Sequence, residues 1–158
     1  MVKIITKSCL IFLFFLTSNC GYKTLDNSEI NNFHMVKIET SGNKRINFKI
    51  KNNLIVNSSK DKINILTLEL NTKKTKTIKE KNIKNEITKY EITLNSNIKL
   101  NFLENNEKQE FVVTSIGNYS VSDKYSKTLR NEKRLIDDLT SNLSSQILNK
   151  IKLILNDL

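Results

Sequence analysis

The residue pattern predicts an α+β sandwich: two helices packed on one face of a four-stranded, mostly antiparallel sheet, in the order β-α-β-β-β-α. Two observations carry this expectation. Inward-facing residues alternate with polar ones in several separate stretches, most clearly Tyr90, Ile92, Leu94, Ser96, Ile98, Leu100 and Phe102. After about Asp123 the period changes, and Leu135, Leu139, Leu143, Ile147 and Ile151 step by four. At 158 residues the chain holds at most one compact domain.

Val36, Ile38 and Thr40 alternate with Lys37 and Glu39, the mark of a short strand with one buried face. Ser41-Gly42-Asn43 ends it. Asn43 can cap a short helix that turns Ile46, Ile50 and Leu54 inward and leaves Lys49, Lys51 and Asn53 in water. A strand through Ile46, Phe48 and Ile50 is the competing pattern; the helix is preferred because the intervening polar residues are weak strand formers. Ile63 to Leu70 places Leu66, Leu68 and Leu70 on one side and reads as a strand, after which Asn71 to Thr77 reads as a solvated loop or hairpin arm.

The run from Tyr90 to Phe102 gives a strand of about 43 Å at ~3.3 Å per residue. Asn105 to Lys108 turns the chain, and Glu110 to Val121 supplies a fourth strand with Phe111, Val113 and Tyr119 on one face. The last three strands are consecutive and hairpin-connected, so they pair antiparallel. A helix from near Ser126 to Asn156 would run ~45 Å at about 1.5 Å per residue, long enough to lie along the longest strand. One apolar face per strand leaves the other face, rich in Thr, Asn and Lys, wet or set against a polar partner.

The chain opens with an address. Lys3 and Lys7 precede the apolar run Cys9 to Leu16, which gives way to Thr17-Ser18-Asn19-Cys20-Gly21. That order reads as a secretory signal peptide over residues 1–19. Leu16-Thr17-Ser18-Asn19-Cys20 resembles a bacterial lipoprotein processing box, with Asn19 in the place usually held by Gly, Ala or Ser. Cys20 is then the lipid-attachment residue, carrying a covalent N-acyl diacylglycerol, palmitate among its acyl chains. Lipidation also explains why a secreted chain would keep one unpaired thiol. Residues 20–34 form the lipidated N-terminus and tether, and 35–158 the single domain. No stretch reaches the ~18 apolar residues of a membrane-spanning helix.

Composition narrows the chemistry. The chain carries 26 Lys+Arg against 16 Asp+Glu, a net charge of +10, but only Arg45, Arg130 and Arg134 are Arg. With Asn and Ile abundant and Pro, Trp and Ala absent, the basic balance reflects AT-rich codons, so it does not by itself indicate nucleic acid. One His, His34, lying in the tether, and two Cys leave neither a multi-ligand metal site nor a disulfide framework. Asp137-Asp138 sit side by side on the long helix and cannot face each other across a substrate, and Gly21, Gly42 and Gly117 stand too far apart for a phosphate loop. The sequence therefore reads as a non-enzyme with no catalytic residues and no cofactor beyond the lipid anchor. Lys73, Lys74 and Lys76 concentrate positive charge without interleaved aromatics, so an anionic lipid suits them better than nucleic acid; a solvated lysine-rich hairpin is the bland alternative.

Cys20-Gly21-Tyr22-Lys23, the strand-helix-strand opening, the Tyr90 to Phe102 strand, and Tyr119-Ser120-Val121-Ser122-Asp123-Lys124-Tyr125 leading into a long C-terminal helix together resemble the LPS-assembly lipoprotein LptE family. The resemblance covers nearly all of the chain after the leader, through layout and short stretches. It implies a lipid-anchored protein on the periplasmic face of the outer membrane that plugs the lumen of an LptD-type outer-membrane β-barrel, helps that barrel assemble, and handles lipopolysaccharide. It also implies that the connection between the second and third strands faces the barrel interior, with Lys73, Lys74 and Lys76 there as lipopolysaccharide contacts. An accessory lipoprotein of another lipid-transport system with the same architecture is the alternative.

Overall fold

The computed structural model describes residues 33–59 and 64–157. The signal peptide, Cys20 and most of the tether lie outside the described residues. The elements run β1 (Phe33–Gly42), α1 (Lys44–Val56), β2 (Asn64–Lys81), β3 (Ile87–Phe102), β4 (Lys108–Ser120) and α2 (Tyr125–Asn156), the order β-α-β-β-β-α. The sheet is mixed, in spatial order β1-β2-β3-β4. β1 and β2 are parallel because α1 carries the chain back between them, while β2, β3 and β4 pair antiparallel.

β1 begins inside the expected tether, at Phe33, which is fully buried, so His34 is part of the sheet. It also holds an irregularity that alternation alone could not reveal. Met35 pairs with Leu66 and Lys37 with Thr67, so Val36 is an extra residue with no partner on β2. The inward set therefore changes parity, from Phe33 and Met35 to Ile38, and Val36 is left exposed where it was expected to be buried.

Gly42, at φ 85°, turns the chain from β1 into α1, and the next residue donates Asn43 N–H to Thr72 O at 2.8 Å. Asn43 then caps α1, its Oδ1 accepting from Ile46 N–H at 3.2 Å. The inward side of α1 is Ile46, Ile50 and Leu54, as the fourfold spacing predicts. Phe48, which would have pointed inward on the competing strand, is exposed.

β2 is far longer than its apolar half. Leu66, Leu68 and Leu70 face the helices and are buried, then Thr72 continues the same face, its hydroxyl 2.6 Å from that of Ser96 on β3. Pairing with β3 carries the strand on to Lys81, so residues 71–77 are strand and not a loop. The true connection is the short turn after Lys81, where Asn82 Oδ1 accepts from Lys84 and Glu86 N–H, both at 2.9 Å.

α2 buries Leu139, Leu143, Ile147, Leu148 and Ile151 against β4 and β3. Gly117 permits this approach: a Cβ there would stand 2.7 Å from Leu135 Cδ1. One apolar cluster results, drawn from both helices and all four strands, and every member lies within residues 33–151. Each fully buried Leu or Ile adds roughly 1.5–3 kcal/mol relative to exposure.

Candidate functional site

The three lysines singled out from sequence do not share a loop. Because β2 continues as a strand, they alternate across the sheet: Lys73, opposite Asn95, faces the open side, whereas Lys74 and Lys76 face the helices opposite Leu94 and Ile92. The structure thus brings Lys74 and Lys76 to one place and sends Lys73 to the other face.

Lys76 is held. Its Nζ donates to Glu132 Oε2 at 2.8 Å, and it stands 4.3 Å from the Tyr90 ring centroid and 5.3 Å from that of Tyr119. The two rings stack at 5.7 Å, and Tyr119 OH donates to the same Glu132 oxygen at 2.8 Å. Partial burial disfavours charge on Lys76, but the Glu132 carboxylate outweighs it and the ammonium titrates above the ordinary lysine range. Partial burial likewise pushes Glu132 up, yet Lys76 and Tyr119, with Lys74 behind them, hold its carboxyl below the usual range. Burial and the neighbouring Glu132 charge push the Tyr119 phenol up, against the pull of Lys76.

Lys74 lies beside this cluster in a groove of about 330 Å³ between the start of α1 and the first half of α2. Its lining combines the apolar Ile46, Ile136 and half-exposed Leu129 with Arg45, Lys74 and Lys133 and with Glu132 and Asp137. Both carboxylates are already engaged, Glu132 by Lys76 and Asp137 by Lys49. The Lys49 hydrogen bond is the main reason the Asp137 carboxyl titrates low. Arg45, Lys74 and Lys133 form no salt bridge among the described residues, although Lys74 acts at longer range on Glu132 and Arg45 and Lys133 on Asp137. Apolar side chains beside three cations that form no salt bridge suit an amphiphilic anion, whose acid group the cations would meet through charge-assisted hydrogen bonds.

Arg45, Lys133 and Glu132 escaped sequence reasoning, and although the alternation placed Tyr90 and Tyr119 on one strand face each, their meeting with Lys76 and Glu132 depends on how α2 lies over the sheet. The only local hint was Arg45 on the polar side of a capped helix. Asp137 and Asp138 lie on α2 as expected, with Asp138 exposed. His34 sits in β1, its Nδ1 buried and without a hydrogen-bond partner among the described residues. Among the described residues no cluster of three or more His, Cys, Asp or Glu could hold a metal, and no helix is long and apolar enough to cross a membrane.

Fold and groove together define a two-layer α+β domain whose helical layer carries a cleft lined by cations and apolar side chains and whose other sheet face is open, mostly polar on β2 and β3 with Val112 and Ile116 of β4 exposed beside them. The same fold occurs in rare lipoprotein B from Shewanella oneidensis, 15% identical, with 77% of this chain and 97% of that chain covered at a TM-score of 0.61. It occurs again in uncharacterized lipoprotein B from Nitrosomonas europaea, 15% identical, with 78% of this chain and 85% of that chain covered at a TM-score of 0.57. At such identities the likeness is one of fold. No family model matches the chain, and no curated protein matches it in sequence.

Proposed function

We propose that the chain is an outer-membrane lipoprotein, acylated at Cys20, that occupies the lumen of an LptD-type β-barrel, helps it assemble, and assists insertion of lipopolysaccharide at the cell surface. The observation that carries this reading is the groove beside α2, where Lys74, Arg45 and Lys133, none in a salt bridge, line one space with Ile46, Leu129 and Ile136. A phosphorylated glycolipid offers that combination its two needs, fixed anionic groups and an apolar body. The fold shared with solved lipoproteins agrees with export and anchoring. The open sheet face carries Asn71, Asn95, Asn97, Thr75 and Thr93 on β2 and β3 with exposed Val112 and Ile116 on β4, a mixed surface that suits contact with the polar interior of a barrel.

The protein acts by occupancy and by binding, without catalysis and without a cofactor other than its acyl anchor. Of the lysines first considered, Lys74 is the direct anion contact and Lys76 the residue that fixes the groove wall through Glu132. Lys73 is on the opposite face and contributes at most to contact with the barrel. Depletion of the chain in its native host tests this. The expected result is a translocon barrel that no longer folds to its heat-modifiable form and lipopolysaccharide retained inside the cell; normal barrel folding with normal surface lipopolysaccharide would contradict it.

A further inference from the structure

α1 is amphipathic twice over. Its inward side is Ile46, Ile50 and Leu54, all buried. Its outward side carries a second apolar pair, Phe48, 65% exposed, and Ile55, 47% exposed, seven residues apart and so on one stripe, with Val56 at 83% beside them. Lys44 and Lys51 fall on the same stripe and Arg45 next to it. From Asn43 to Ser59 there is no acidic residue, and the helix brings four cations, Lys44, Arg45, Lys49 and Lys51. Only Lys49 is paired, with Asp137 on α2. Large apolar side chains ringed by uncompensated cations on one helix face are the composition of a helix that lies in the headgroup layer of an anionic bilayer.

The place where the chain enters the domain points the same way. Ser59 N–H donates to Phe33 O at 3.1 Å, and Met35 N–H donates to Ser58 Oγ at 2.8 Å. The C-terminal end of α1, with Ile55 and Val56, is therefore beside the first described residue of β1. The segment leading back to Cys20 departs from there, and its thirteen residue steps reach at most about 45 Å at ~3.3–3.6 Å each. A chain anchored at Cys20 thus starts from the end of the domain where α1 exposes its apolar side chains.

We propose that the outward face of α1 is a membrane-contact face, which lays the free lipoprotein against an anionic lipid bilayer before a protein partner takes it up. Phe48, Ile55 and Val56 enter the headgroup boundary while Lys44 and Lys51 meet lipid phosphates. The position of the anchor rests on the acylation of Cys20 proposed above; the face itself rests on α1 alone.

The test uses the chain from Gly21 onward, without leader or acyl group, so its outcome does not depend on Cys20. Every core residue is retained, and circular dichroism verifies the fold. Co-sedimentation is measured with phosphatidylcholine vesicles and with vesicles containing phosphatidylglycerol. The expected result is strong preference for the anionic vesicles, weakened about tenfold in a Phe48→Ser, Ile55→Ser double variant and about twentyfold in a Lys44→Glu, Lys51→Glu double variant, none of the four residues belonging to the buried core. Equal binding to the two vesicle types would overturn the proposal, as would either double variant binding as well as the unchanged chain. Vesicle binding that survives the Phe48 and Ile55 changes while co-purification of a barrel is lost would assign the face to a protein wall instead.

Discussion

Lys76 on β2 donates to Glu132 on α2 at 2.8 Å, across the helical side of the sheet and beyond the reach of the buried leucines. Glu132 also accepts from Tyr119 of β4 at 2.8 Å, so one carboxylate ties two strands to the first half of α2, whose buried residues begin only at Leu139. The stretch of helix around Glu132, which forms one wall of the groove, is positioned by this polar cluster together with Leu135 and Ile136, half-buried against the core.

Glu132→Gln keeps the shape and removes the charge that Lys76 and Tyr119 address. The expected loss is about 1–2 kcal/mol, seen as a lower urea midpoint with an unchanged slope. Lys76→Met should cost a similar amount, and the double variant less than the sum of the two, because both act on one interaction.

Acid should weaken the fold through the same cluster. Glu132 and Asp137 titrate below their ordinary 4.5 and 3.8 in the folded chain. A lowered folded value means stability that is fully present above the ordinary value and is lost as pH falls through the folded one. The unfolding midpoint should therefore fall progressively below about pH 4.5, and Glu132→Gln should flatten that limb. On the alkaline side Lys76 and Tyr119 titrate above their ordinary 10.5 and 10.0, so their contribution is complete below those values and fades as pH rises further. Thermal unfolding across the two ranges checks both signs.

The two described glycines should respond unequally to alanine. At Gly42 a Cβ would stand 2.4 Å from the Thr72 carbonyl oxygen, on backbone already at φ 85°, and backbone cannot move aside. A loss of about 3 kcal/mol or more is expected. At Gly117 the obstacle is the end of the Leu135 side chain, which can rotate away, so about 1 kcal/mol is expected. Paired urea titrations decide the order.

Lys74 and Lys73 are neighbours in sequence on opposite faces of the sheet, which separates a groove function from general basicity. Lys74→Glu should weaken lipopolysaccharide binding by the purified chain about tenfold, and Lys73→Glu should leave it nearly unchanged. Equal losses from the two changes would show that only overall charge matters.

Much of the fold was legible because the buried half of each element follows a simple period. Ile46, Ile50 and Leu54 and the stripe from Leu135 to Ile151 announced the helices, and the even-numbered run to Phe102 announced β3. Legibility failed where hydrophobic contrast disappears. β2 from Lys73 to Thr77 is all Lys and Thr, with no apolar residue to mark a buried face, and it stays extended through its backbone ladder with β3. That continuation is why Lys73, Lys74 and Lys76 were expected together in a connection and are found on two faces. The bulge at Val36 escaped for a related reason: Val36, Ile38 and Thr40 mimic an unbroken alternation, and only the register against Leu66 and Thr67 reveals the extra residue. Groove residues such as Arg45 and Lys133 are distant in sequence, with no local pattern to join them.

The central claim is that this domain lives inside a barrel. Its most direct test is mild-detergent affinity purification of the chain, tagged at its C-terminus, from its own outer membranes, followed by mass spectrometry of what remains bound. The account predicts one large β-barrel subunit recovered in equal amount and resistant to salt. Recovery of the chain alone, or with an inner-membrane transporter, would contradict it.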